Sequence, residues 1–169
     1  MCAPAVRHSD QVEIREGTPA DDDYVRRSLT DAFGATQVAG HDELIDAAAL
    51  PAAIAWQDGE PVGLLTYRAD ADGGWEIVSI AADRPGIGAG AALIDWVRDR
   101  AERAGAARVW LITTNQNTHA LRFYQRRGFD LVRLDRGAVD RARKLKPGIP
   151  TYDDGIAIRH ELELELRLR

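Results

Sequence analysis

The sequence predicts an α+β fold: a mixed, mostly antiparallel central sheet flanked by helices on both faces. Three observations predict it. Apolar runs at residues 52–57, 61–68 and 75–81 follow one another through short turns at Asp58-Gly59 and residues 70–74, which describes an antiparallel meander. A glycine-rich turn, Pro85-Gly86-Ile87-Gly88-Ala89-Gly90, then leads into an amphipathic run and a continuous apolar run. That is a strand–helix–strand crossover whose second strand is buried on both faces. The chain closes on a long alternation from Ile156 to Leu168, the period of a half-buried strand.

A chain of 169 residues that is 45% hydrophobic and 29% charged has the size and composition of one soluble domain with a core. Its net charge of -5 argues against general nucleic-acid binding, which asks for a basic surface. No run approaches the roughly eighteen apolar residues of a membrane span. Residues 1–10 lack the apolar stretch of a secretory signal and are expected to form a disordered tail, with residues 11–169 as the single domain. Cys2 is the only cysteine, so disulfide frameworks and cysteine metal sites are excluded and a cytoplasmic setting is expected. His8, His41, His119 and His160 show no metal-ligand spacing, and no metal is expected.

Taken in order, Val12 and Ile14 alternate with charged neighbours as a short strand ending at Gly17. Thr18-Pro19-Ala20-Asp21 opens a helix, with Thr18 as N-cap and the acidic residues 21–23 at the positive end of its dipole. It runs to Phe33 and stops at Gly34. Residues 41–47 read as a second short helix, broken before Pro51. After the meander, Leu93, Ile94, Val97, Ala101 and Ala104 recur at helical spacing until Gly105. A strand at 108–113 follows, then a helix at 118–127 stopped by Gly128, with Phe129 folding back over its last turn. A strand at 131–135, a helix at 138–145 and the closing strand complete the chain. That strand puts Ile156, Ile158, His160, Leu162, Leu164, Leu166 and Leu168 on one face and mostly charged residues on the other. His160 is expected to be a satisfied, partly buried histidine.

The chemistry gathers around the crossover. Glycines let ligand oxygens approach the backbone, and the helix that follows aims its unpaired N–H groups at them, a ready phosphate or pyrophosphate site. One crossover later stands Asn117-Thr118-His119-Ala120-Leu121-Arg122-Phe123-Tyr124-Gln125-Arg126-Arg127-Gly128-Phe129. Together the two stretches resemble the GNAT superfamily of acetyl-CoA-dependent N-acetyltransferases. Its first motif is a strand, R/Q-x-x-G-x-G/A and a helix; its second is N-x-x-A-x-x-F-Y-x-x-x-G-F, which Asn117, Ala120, Phe123, Tyr124, Gly128 and Phe129 match. The chain departs at one point: with Gly88 and Gly90 as the family glycines, Pro85 stands where Arg or Gln is usual, and Arg84 is placed to supply the charge. Read as G-x-G-x-x-A, the same turn suggests a nucleotide-binding module, but the strand after the crossover ends in Thr113-Thr114 without a ribose-binding acid.

The resemblance implies a GNAT-like fold and the direct attack of a primary amine on acetyl-CoA. The cofactor is expected against the main chain of Ile80 and Ala82, with Arg84, Gly86, Ile87, Gly88, Ala89, Gly90 and Ala91 at the pyrophosphate, and with Asn117 and Tyr124 nearby. The thioester is expected in a gap between splayed central strands. Tyr124 matches the family's general acid, and Glu76, on the strand with Val78 and Ile80, is the expected general base. Asn117 also suits a helix cap. The amine is expected to enter near residues 31–50 and Tyr152, with His41, Asp42 and Glu43 available to greet a cation. A catalytically degenerate acyl-CoA-binding domain is the competing expectation, and a homodimer stays open.

Overall fold

The computed structural model describes residues 11–169, so the expected tail at residues 1–10 lies outside the described residues. Strand β1 (Glu13–Glu16) leads to helix α1 (Asp22–Phe33) and a hairpin, β2 (Gln37–Gly40) with β3 (Glu43–Asp46). The meander is β4 (Ala52–Gln57), β5 (Glu60–Ala69) and β6 (Trp75–Ala82). The crossover helix α2 (Ala89–Arg103) leads to β7 (Arg108–Thr114), and α3 (Thr118–Gln125) leads to β8 (Asp130–Asp135). The last elements are α4 (Ala138–Leu145), a hairpin of β9 (Tyr152–Asp153) and β10 (Ile156–Ala157), and β11 (Glu161–Arg167).

Seven strands form one sheet in the order β1-β4-β5-β6-β7-β11-β8. Only β6 and β7 run parallel, as the α2 crossover requires; the other neighbours are antiparallel. Helices cover both faces because each face carries its own apolar set. On one, Leu93, Ile94, Val97 and Ala101 of α2 and Tyr124 of α3 pack against Ala53, Leu65, Tyr67, Ile77, Val109, Leu111 and Leu164. On the other, Val25 and Leu29 of α1 pack against Ala52, Ile54 and Leu64, with Val78 beside them. Ahead of α1, the Asp21 carboxylate accepts from both the N–H and the hydroxyl of Thr18, at 2.8 Å each.

Two expectations are corrected. Residues 41–47 are not a helix: β2 and β3 turn on His41 and Asp42, at φ 50° and 60°. Both residues adopt the left-handed conformation that a two-residue hairpin turn demands, and short polar or imidazole side chains tolerate it. The hairpin lies so close to β7 that a Cβ on Gly40 would sit 2.5 Å from Ile112 Cδ1. The closing strand is also broken. Asn115 Nδ2 donates to the Ala157 carbonyl at 2.9 Å, while its Oδ1 accepts from the N–H groups of Arg159 and His160, both at 2.9 Å. One side chain thus takes up the Ala157 carbonyl and the Arg159 and His160 N–H groups in the segment that separates β10 from β11.

Candidate active site

The glycine turn has the form the sequence predicts. Gly86 and Gly88 stand at φ 81° and 80°, and Gly88 caps α2 from the left-handed region. Gly90 is small for a second reason: a Cβ there would meet Phe123 Cζ of α3 at 3.3 Å. Ala82, Arg84, Pro85, Gly86 and Gly88 are exposed, Ile80, Ile87, Gly90 and Ala91 are half-buried, and Ala89 is buried. The first N–H groups of α2 have no helical carbonyl to bond. The turn's entry is pinned: the Asp83 N–H donates to the Val62 carbonyl at 2.9 Å, and the Tyr24 hydroxyl donates to Asp83 Oδ2 at 2.9 Å. Burial, then the Asp83 carboxylate, push the Tyr24 phenol well above its usual range.

Beside this turn the sheet opens. The parallel register joins Trp75, Glu76 and Ile77 to Val109, Trp110 and Leu111 and goes no further, although β6 continues to Ala82 and β7 to Thr114. Ile80 and Ala82 pair with β5 on one side only, and their β7-facing edge has no strand partner. On the α1 side of this gap lies a cavity of about 650 Å³, bounded by the end of α1, β2, β7, α4 and the segment before β10. Val78, Ile112, Thr113 and Thr114 are among its walls, as is Asn117. Asn117 also caps α3, its Oδ1 accepting from the Ala120 N–H at 3.1 Å.

Tyr124 is buried between Phe123 and Phe129, with ring centroids 5.2 Å and 5.6 Å away. It shares a core cluster with Ile77 and Leu111, the last paired residues before the gap. Burial pushes its phenol far above the ordinary value, so the hydroxyl keeps its proton.

Three carboxylates are buried on the face of β6 and β11 that carries the cavity; Glu165 is paired with Arg108 and Arg167, and the surroundings of the other two differ. Glu76 is 2% exposed, and its Oε2 accepts from Arg68 Nε at 2.6 Å. Burial raises its pKa, and the Arg68 guanidinium opposes the rise. Glu161 is 4% exposed; its one hydrogen bond is from the His41 N–H, at 3.4 Å to Oε2. Burial raises its pKa too, but no Lys or Arg among the described residues pairs with it. Glu161 lines the cavity and Glu76 does not. Sequence reasoning passed over Glu161 as one charge among several on an alternating strand. No local signal marks it: β11 lies between β7 and β8, and the cavity that covers its charged face is built from other parts of the chain.

The acids expected to greet a cation are already engaged: Asp42 binds Arg141 Nε at 2.7 Å, and Glu43 binds Arg68. His119 is exposed. His160 Nδ1 accepts from the Gly137 N–H at 3.0 Å, the satisfied histidine the sequence suggested. Among the described residues, no group of three or more His, Cys, Asp or Glu is arranged to hold a metal ion.

The sequence profile described as the Acetyltransferase (GNAT) family matches residues 21–129, which include the glycine turn and the whole Asn117 motif. The chain belongs to the GNAT acetyltransferase family. It is similar to the uncharacterized protein YdhI of Bacillus subtilis, 40% identical over 107 residues, 63% of this chain and 66% of YdhI. The chain thus spans about two thirds of the length of that relative. An IAA acetyltransferase from Bacillus cereus shares the fold with a TM-score of 0.72 at 20% identity, over 94% of this chain and all of that one. A GNAT family acetyltransferase from Elizabethkingia anophelis, solved with acetyl-CoA bound, aligns with a TM-score of 0.68 at 19% identity, over 93% and 98%. The mostly antiparallel sheet with its single parallel pair is the GNAT architecture the sequence predicted. No helix among the described residues is long and apolar enough to cross a membrane.

Proposed function

We propose that this GNAT protein moves an acetyl group from acetyl-CoA to a primary amine by direct attack, in the cytoplasm. The observation that carries the reading is the gap after Ile77 and Leu111, which joins an unpaired strand edge, a phosphate-ready turn and a cavity. A pantetheine arm fits the free edge of Ile80 and Ala82 as an added strand would. Its pyrophosphate then falls at Gly86 to Ala91, where backbone N–H groups and the start of α2 receive it. Arg84 is exposed beside the turn, and Asn117 stands across the gap. Acetyl-CoA bound in the Elizabethkingia relative supports acetyl-CoA as the ligand.

The amine nitrogen attacks the thioester carbonyl, an amide C–N bond forms, and the C–S bond breaks. The amine attacks in its neutral form, after its ammonium has given one proton to the base, and its nitrogen sheds a second proton as the tetrahedral intermediate collapses to the amide. The leaving thiolate takes the Tyr124 proton; one of the two shed protons returns to Tyr124 and the other leaves to solvent. Glu76 is the base in this reading, reaching the amine through water, its raised pKa suited to accepting a proton. One observation favours a second reading in which Glu161 is the base: Glu161 lines the cavity and Glu76 does not. A thiol-release assay with acetyl-CoA over a panel of amines tests the reaction, and pH–rate profiles of Glu76→Gln and Glu161→Gln divide the two bases. The base is the residue whose variant loses the acidic limb of kcat, where the wild-type rate climbs as the carboxyl deprotonates. Tight CoA binding without thiol release from any amine would point to a degenerate acyl-CoA-binding domain instead. For a homodimer we favour the free edge of β8, where Leu131, Val132 and Leu134 are exposed on an outer strand.

A further inference from the structure

The cavity's walls and charges say more than that an amine enters. Its sides are mostly apolar, with Phe33, Val38, Ile112, Val139, Ile149 and Ile158 contributing from six parts of the chain, beside a polar stretch of Thr113, Thr114 and Gln116. It contains one cationic side chain, Lys146, whose Nζ already donates to the Phe33 and Gln37 carbonyls at 2.9 Å and 2.8 Å. Lys146 therefore ties the end of α1 to β2 and is not offered to a ligand. Its acids are Asp153, exposed at the mouth, and Glu161, buried at depth.

Glu161 stands apart from the other carboxylates of these central strands. Glu76 has Arg68, Glu163 has Arg108 and Arg133, and Glu165 has Arg108 and Arg167. A buried carboxylate with no counter-cation is costly to maintain. An arriving ammonium offsets that cost, and an uncharged or anionic ligand does not.

We propose that this cavity is the acceptor pocket for a small primary amine with an apolar body, held by its ammonium at Glu161 and by its carbon skeleton against the aliphatic walls. The volume falls in the range of small-molecule sites. A polyamine or aminosugar carries more charges and hydroxyls than the polar stretch of Thr113, Thr114 and Gln116 can match, and the remainder would face Val38, Val139 and Ile149. The pocket borders the strand gap through Val78 and Ile112 to Thr114, which brings the amine to the thioester. That last step rests on the acetyl-transfer reading; the pocket's preference does not.

Two measurements keep the readings separate. Calorimetry without acetyl-CoA compares hexylamine and phenethylamine with spermidine and kanamycin, on wild type and on Glu161→Gln. Binding of the two apolar amines, weakened about tenfold or more by Glu161→Gln while CoA affinity is unchanged, is the expected result. Glu161→Asp, which keeps the charge, is expected to recover part of the affinity. Thiol release is then followed with the same amines, where Glu161→Gln is expected to raise KM more than it lowers kcat. Preferential binding of spermidine or kanamycin, or amine affinity untouched by Glu161→Gln, overturns the pocket assignment even if acetyl transfer proceeds. Glu161-dependent binding of the apolar amines without thiol release supports the pocket and sinks acetyl transfer. Should Glu161→Gln fail to fold, Ala142→Phe, which fills the cavity from α4, is expected to abolish binding of the apolar amines; unchanged binding overturns the proposal.

Discussion

At the scale of single residues, the site is a matter of which charges are compensated. Glu161 is buried without a Lys or Arg partner among the described residues, and burial raises its folded pKa above the unfolded one. Below the unfolded pKa both states bind the proton and Glu161 costs nothing. As pH rises through the folded pKa the buried charge appears, and stability is lost. Glu161→Gln is therefore expected to stabilise the ligand-free protein by about 1–3 kcal/mol at pH 7 and by little near pH 4. Urea unfolding at the two values measures it, and an equal effect at both would contradict the assignment. Such a gain in stability at a loss of binding marks a group kept for function. Tyr124 is the complementary case, a phenol that burial keeps protonated. Tyr124→Phe is expected to lower kcat by roughly a hundredfold with KM little changed. Stopped-flow thiol release checks this, and an unaltered kcat removes Tyr124 from the chemistry.

At the scale of elements, small local devices decide where strands begin and end. Asn115 holds the segment between β10 and β11 through three hydrogen bonds. Asn115→Ala leaves those backbone groups unpaired and is expected to cost about 2–4 kcal/mol. A shift in the midpoint of chemical denaturation reads it; a loss under 0.5 kcal/mol would mean that water or the strands take over. Asp21 does a similar task at the start of the first helical segment, accepting twice from Thr18. Asp21→Ala is expected to cost about 1 kcal/mol, visible as a lower Tm. The alternation along β11 named its two faces correctly, Leu162, Leu164 and Leu166 packing with α2 and α3. What it could not name is what covers the other face, since period two distinguishes the faces of a strand but not solvent from a neighbouring element. The β2–β3 turn was hidden for a related reason. His41-Asp42 lacks the glycine that marked Asp58-Gly59, and the hairpin is held by contacts with α4 and β7, far away in sequence.

At the scale of the whole molecule, seven strands and both helical layers converge on one gap between β6 and β7. A ligand that binds there and not to the unfolded chain must stabilise the fold. CoA at a hundred times its Kd is expected to add about 2.7 kcal/mol, a Tm rise of roughly 5–10 °C for a chain of this size. NAD at the same concentration is expected to add nothing, and the reverse order would restore the nucleotide-binding reading. The outer edge of β8 makes a separate prediction. If it is the dimer contact, Leu134→Asp converts the dimer to monomer in light scattering while leaving CoA binding intact; a mass unchanged by the substitution places the contact elsewhere.

The sequence by itself determined the family, the order of most elements, the glycine turn and the Asn117–Phe129 motif. Those features are local: a turn that needs positive φ, a helix that needs a cap and an apolar stripe, and a strand apolar on both faces leave their marks within a few residues. Tertiary structure alone decided the cavity beside the strand gap. Its walls come from α1, β2, β7, α4 and the segment before β10, and its one buried acid without an ionic partner matters only because every neighbouring carboxylate on those central strands has an arginine. Whether a charge is compensated depends on which strands lie beside it, and strand order is a long-range property that no local pattern carries.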